Sequence, residues 1–309
     1  MQTLILEHTA PFQALPELVA EAEGLFAKEG LHIEWVNTNE GVSRDAHTDV
    51  ISPQGLDPFR SHGRLLEQGK ADMYNACEWG NYCRVQDTNV KSRQLGRRSV
   101  VSFAALIVRP DSPIYTPQQL AHRKVGVPFY FGTHYLALHM LEGFLTRDQI
   151  VVCSVPNGSS FRFDLLMKGE IEATTMTEPY VSLAEKKGFR IICTAFYHGT
   201  HVGTDKIDAA TMRAYNRAVT EAVSRIKADK RRYLQYFIDY YKTKDPEIAK
   251  LTVDDLRESR LVVCEPSPIP AEEMQRTYEW VKSWGMLQAV DTPQQLVNAE
   301  VQSIAHAAL

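Results

Sequence analysis

Lys124-Val-Gly-Val-Pro-Phe-Tyr-Phe-Gly-Thr-His-Tyr135 reads as a strand, a Gly-bearing loop and the start of a helix. A unit of this kind offers an anion several backbone N–H donors and a hydroxyl, because the first N–H groups of a helix have no partner within it. Further on, Leu165-Leu-Met-Lys-Gly-Glu-Ile-Glu-Ala173 runs into Thr-Thr-Met-Thr-Glu-Pro-Tyr180, a second loop expected to face a ligand. Two such loops point to a small polar molecule held in a cleft.

Outward from this stretch the pattern alternates. Residues 2–7 predict a strand, a helix follows with Leu15, Leu18, Val19 and Ala22, and Leu31-His-Ile-Glu-Trp-Val36 has the period of another strand. A helix is predicted from Pro58 to Gln68, then a strand at Ala71–Ala76 and a helix carrying Trp79–Val85. Val100–Val108 is almost uncharged and rich in strand-forming residues, long enough to cross between lobes. Strand and helix then alternate through Ile150–Val155, Asp164–Lys168, Ala173–Thr177, Tyr180–Lys187 and Arg190–Ala195, which favours an α/β lobe over a sandwich or a bundle. The carboxyl part turns helical over Asp208–Asp229, and Tyr233, Tyr236 and Phe237 are spaced to pack on one face. The order predicts two lobes, one formed by residues 1–104 and 197–309, the other by residues 105–196.

Composition narrows the function. Thirty-four basic residues stand against 38 acidic ones, for a formal charge of −4, and the short cluster Arg93, Arg97, Arg98 reads as a solvated loop, so no nucleic-acid partner is expected. No stretch approaches about 20 consecutive apolar residues, which argues against a membrane span. The start, Met1-Gln-Thr-Leu-Ile-Leu-Glu-His8, lacks the regions of a secretory signal, and five cysteines without compact spacing fit reduced thiols. On that basis the expected location is cytoplasmic.

Ala22-Glu-Gly-Leu-Phe-Ala-Lys-Glu-Gly-Leu31, Leu66-Glu-Gln-Gly-Lys-Ala-Asp72, Lys124–Val127 with Gly132–Tyr135, and Lys168–Ala173 with Glu178-Pro179 occur in an order and spacing that resembles the type II periplasmic-binding-protein fold. The likeness is to the nitrate-, sulfonate- and taurine-binding group and to cytoplasmic relatives that make the thiamine pyrimidine, and it spans nearly the whole chain. It implies two α/β lobes around a central ligand cleft. Those pyrimidine-making relatives carry a pyridoxal-phosphate-anchoring Lys and a reactive His where this chain has Ala76 and Gly80, so no cofactor is expected. Desulfinase relatives place a nucleophilic Cys in the loop after the first strand, but Glu7-His-Thr-Ala-Pro-Phe-Gln13 has none.

Gly132 and Thr133 are the foremost anion-contact candidates, with helix capping as the alternative, and His134 is either a contact or a support. Cys77, Glu78 and Trp79 place a thiol, a carboxylate and a stacking ring within three positions, although a buried Cys, a helix-start Glu and a core Trp would read the same way. His8 and Thr9 lie in the first loop. Tyr197, His198 and His201 follow the return from the second lobe, where His198 can move a proton. Glu178 is expected to turn inward because Pro179 restricts it to extended backbone, and Arg109 either neutralises a carboxylate ligand or pairs at a hinge. His47 and Asp49 form a further polar pair, with a surface turn as the alternative. Cys77 and Cys83, six apart, have neither redox nor metal-site spacing, and no metal is expected.

These candidates lead to an expected cytoplasmic enzyme, a lyase or hydrolase acting on a small carboxylated, amide-bearing or heteroaromatic metabolite. Cys77, Glu78, His8 and His198 would be catalytic; Thr9, Trp79, Arg109, Gly132, Thr133, His134, Glu178 and Tyr197 would bind substrate. The alternatives are a solute-binding protein serving an ABC-transporter permease and a cytoplasmic metabolite sensor. A homodimer is the other protein partnership considered.

Overall fold

The computed structural model describes residues 1–37, 62–287 and 292–307. His47, Asp49 and the beginning of the helix expected from Pro58 lie outside the described residues. The first sheet contains β1 (Gln2–Glu7), β2 (Leu31–Val36), β3 (Met73–Cys77), β4 (Ser92–Arg97) and β10 (Gly199–Thr204), ordered β2-β1-β3-β10-β4. The second contains β5 (Val100–Val108), β6 (Lys124–Val127), β7 (Val151–Ser154), β8 (Ala173–Thr177), β9 (Arg190–Tyr197) and β11 (Val262–Val263), ordered β11-β5-β8-β6-β7 with β9 also on β5. Helices flank both sheets, giving an α/β molecule of two lobes.

β5 explains why the second sheet forms where it does. Its apolar run is buried almost throughout, and residues Ala104–Val108 pair antiparallel with β8 and β9 at once, as a central strand requires. The chain passes between the sheets at two adjacent points, Arg98-Ser99 and His198. There the Arg98 N–H donates to the Gly199 carbonyl at 3.0 Å. The crossover expected from Tyr197 onward is therefore two strands meeting at one residue.

α1 (Pro11–Ala22) follows β1, and α2 (Leu25–Lys28) follows Gly24, whose φ of 68° lies in the left-handed region. α3 (Arg64–Glu67) and α4 (Glu78–Asp87) flank β3. α5 (Gly132–Glu142), α6 (Ser159–Lys168) and α7 (Tyr180–Lys186) follow β6, β7 and β8. α8 (Ala209–Ala228), α9 (Lys230–Tyr241), α10 (Ala271–Ser283) and α11 (Ala299–Ala305) complete the chain. The amphipathic pattern of α8 puts Tyr215, Val219 and Val223 in one core with Leu15, Val19 and Phe26.

After α9 the chain is held against α7. Lys186 pairs with Asp255 at 2.8 Å, Lys187 with Glu247 at 2.5 Å, and Arg260 reaches Glu178 and Glu185, both at 2.9 Å. This strap brings the end of α9 to the mouth of the space between the lobes.

Candidate functional site

The lobes enclose a cleft of about 530 Å³. Its walls are built at strand ends and helix starts: His8 to Gln13 after β1, Pro128 to Thr133 after β6, Ser154 to Arg162 after β7, Thr177 and Tyr180 after β8, and Tyr197 at the end of β9. Tyr240, Tyr241 and Lys244 from the end of α9 complete it. An open α/β sheet leaves its crevice at this end, because the chain turns there from strand to helix.

α1, α5 and α6 all begin in this wall, and the residues before them, Ala10, Phe131 and Gly158, supply no side-chain cap. Their first N–H groups, which in α1 begin at Phe12 because Pro11 has none, therefore add partial positive charge to the cleft. At Gly132 a Cβ would stand 3.1 Å from the Tyr197 hydroxyl and 3.3 Å from the Cys77 Cβ, so glycine lets the α5 start approach the back wall.

Arg162 is the buried charge of the site, at 2% exposure. Its Nη1 donates to the Asn157 carbonyl at 3.1 Å and Nη2 to the Ser159 hydroxyl at 3.0 Å, while Nε has no hydrogen-bond partner. Burial lowers its pKa to about 10, against the opposing influence of the Tyr180 and Tyr241 hydroxyls, which leaves it charged at neutral pH. Lys244 and His8 are also held below their ordinary values, chiefly by burial. Among the described residues that line the cleft there is no Asp or Glu.

The residues expected from the sequence divide between two places. His8, Thr9, Gly132, Thr133 and Tyr197 line the cleft. His8 stacks on Tyr240 with centroids 5.5 Å apart and meets Trp35 edge-on, and Thr9 accepts a bond from Asn75 Nδ2 at 3.4 Å. The others lie behind or away from the wall. Cys77 is 1% exposed and burial raises its thiol pKa, the reverse of an activated nucleophile. Glu78 accepts from Thr277 at 3.1 Å on the α10 side, its pKa raised by burial to about 7. Trp79 stacks on Tyr197 and Tyr135 behind the wall.

His134 is buried, accepts the Tyr130 N–H at 3.3 Å, and is pushed down by desolvation to about 3. His198 lies at the crossover, lowered to about 4 by burial and by Arg97 and Arg98. The Glu178 carboxylate turns away to Arg260 and to the Ser182 N–H, and Arg109 pairs with exposed Asp111 at 3.0 Å. Sequence reasoning passed over Arg162, Tyr180, Tyr240, Tyr241 and Lys244. The signal for Arg162 was available: Val151–Ser154 followed by Asn157-Gly-Ser-Ser160 repeats the strand, Gly loop and helix start of Lys124–Tyr135.

No protein-family model matches the sequence, and neither does any curated protein. Solved structures do match. The periplasmic aliphatic sulphonate-binding protein SsuA of Escherichia coli superposes with a TM-score of 0.69 at 14% identity, over 99% of both chains. The alkanesulfonate-binding protein SsuA of Xanthomonas axonopodis, bound to MOPS, gives 0.68 at 13% identity, over 97% of this chain and 98% of that one. This chain has the type II periplasmic-binding-protein fold. The fold also includes the desulfurization enzyme DSZB, a mutant of which in complex with biphenyl-2-sulfinic acid gives a TM-score of 0.63 at 14% identity, over 98% of both chains.

The fold expectation stands, but the cytoplasmic lyase or hydrolase must be corrected. The similar structures named as ligand-binding proteins outnumber those of the one named enzyme, and of the four expected catalytic groups only His8 reaches the cleft. The cytoplasmic location falls with it, because the fold's matches include periplasmic binding proteins. Among the described residues no three His, Cys, Asp or Glu side chains gather as a metal ligand set, and no helix is long and apolar enough to cross a membrane.

Proposed function

We propose that this chain is an extracytoplasmic solute-binding protein for a small organic anion, handing its cargo unchanged to a membrane permease. The observation that carries this reading is Arg162, a fully buried guanidinium in a cleft whose described lining holds no carboxylate. An unpaired ion withdrawn from water costs several kcal/mol, and an anion bound at Nε would offset that cost. The three uncapped helix starts supply further donors to the same charge. Gly132, Thr133, Thr9 and Tyr197 are assigned to the ligand-facing wall, with His8 as a polar contact rather than a proton-transfer group.

Calorimetry and thermal shift with sulfonates, carboxylates and phosphate, set against choline and a neutral sugar, test the reading. Expected are saturable one-to-one binding of at least one organic anion, weakening with added salt, and recovery of the ligand chemically unchanged. Stabilisation only by cationic or neutral solutes, or conversion of the bound anion, would overturn it.

A further inference from the structure

Building on the organic-anion reading, the geometry points to a ligand that carries an aromatic ring directly beside its acid group, the acid group on Arg162 and the ring against the Tyr180–Tyr241 corner. Arg162, Tyr180 and Tyr241 all line the cleft, and Phe163, the next residue of α6, lies 6.2 Å from Tyr180 between ring centroids, so the helix that carries the cation packs beside these rings. Tyr180 comes from the second lobe and Tyr241 from the end of α9. They meet edge to face, with centroids 5.3 Å apart and planes at 79°. Tyr240 extends the corner, at 4.7 Å and 75° from Tyr241, and His8 stacks beyond it.

A ligand anchored by its acid group at Arg162 can place its next atoms against this corner. Carbon of any kind gains from leaving water there, but the faces and edges of tyrosine add an attraction that only another π-system obtains. The corner is also fixed before binding, because the Tyr180 hydroxyl donates to Asp245 at 3.1 Å and Tyr241 is packed between Tyr180 and Tyr240. A preset corner loses little side-chain freedom when a ring arrives. The cleft volume of about 530 Å³ suits a ligand of one or two rings.

Benzenesulfonate and cyclohexanesulfonate carry the same acid group on rings of nearly the same size, one with a π-face and one without. Their affinities for the full chain, measured by calorimetry, isolate the ring contribution. Benzenesulfonate is expected to bind about tenfold more tightly. In Tyr241→Leu and Tyr240→Leu the ratio is expected to fall toward one, while cyclohexanesulfonate keeps its affinity within about twofold. Each variant's melting temperature without ligand shows whether it is folded, and two separate positions guard against the loss of either one.

Equal binding of the two sulfonates to the unaltered chain would overturn the aromatic assignment and leave the anion reading intact. A preference for benzenesulfonate that survives both leucine variants would move the ring away from this corner and overturn the proposal as well. Failure of these and all other anions to bind would instead remove the reading on which it rests.

Discussion

Two groups of helix starts in this protein differ in how their first N–H groups are met. α8, α9 and α11 begin behind Asp208, Asp229 and Asn298, and each of these side chains accepts a bond from the backbone N–H of the residue three positions on. Two more starts are served from a distance: Glu7 accepts the Gly63, Leu65 and Leu66 N–H groups at α3, and Glu178 accepts the Ser182 N–H at α7. The three starts in the cleft wall, α1, α5 and α6, have no side-chain cap. α2, α4 and α10 also lack a side-chain cap and start away from the cleft, so what sets α1, α5 and α6 apart is not the missing cap alone but that their free donors stand where a ligand would meet them. The same division holds for charge, since Arg260 has two carboxylate partners while Arg162 has none among the described residues.

Removing the cleft cation should break the comparison most severely. Arg162→Met is expected to weaken organic-anion binding by at least about 100-fold, the scale of losing one partner of a buried charge pair. The ligand-free variant should melt no lower than the parent, and higher if the unpaired ion is a burden on the fold. Calorimetry and thermal denaturation of the same sample give both readings. A large loss of ligand-free stability with binding preserved would make Arg162 a structural residue and end the distinction drawn here.

Supplying a cap where none exists sharpens the point. Phe131 precedes α5 in extended backbone, at φ −97° and ψ 159°, a conformation from which an Asp side chain can cap the first turn. Phe131→Asp is expected to weaken anion binding about tenfold beyond the loss in Phe131→Ala, because its carboxylate occupies the donors and repels the ligand. Equal affinities in the two variants would show that the α5 start contributes nothing to binding.

Much of the scaffold was legible because its signals are local. The uncharged run of β5, the Gly-bearing loop before α5 and the apolar period of α8 each declare themselves within a few residues. Gly132 and Thr133 were visible for the same reason. Cys77, Glu78 and Trp79 drew attention through reactive chemistry, but a sequence does not say on which side of a wall a side chain falls. Cys77 ends buried beneath Gly132 and Glu78 faces α10. Arg162 went unnoticed because the helix that bears it was expected to begin at Asp164, whereas α6 begins at Ser159. Tyr240, Tyr241 and Lys244 enter the cleft only through the strap that closes onto α7, a tertiary arrangement held by ion pairs between residues about 60 or more positions apart. The absence of carboxylates from the described cleft lining is likewise a property of assembly, since 38 acidic residues are spread through the sequence.

The smallest expected effect comes from the other group of helix starts. The Asp208 carboxylate accepts the Thr211 N–H at 2.8 Å, and these bonds hold its pKa below the usual range. Asp208→Ala should therefore cost about 1 kcal/mol of stability, the ordinary value of a lost cap. Because its depressed pKa makes the stabilisation present above the unfolded carboxylate pKa and lost as pH falls, the difference from the parent should vanish in acid. Urea denaturation at neutral and at acid pH measures this directly. Ligand affinity should not change, since Asp208 does not line the cleft. An Asp208→Ala variant that lost anion binding while remaining folded would show the two groups of helix starts to be coupled, and the separation of stability from recognition would fail at its weakest link.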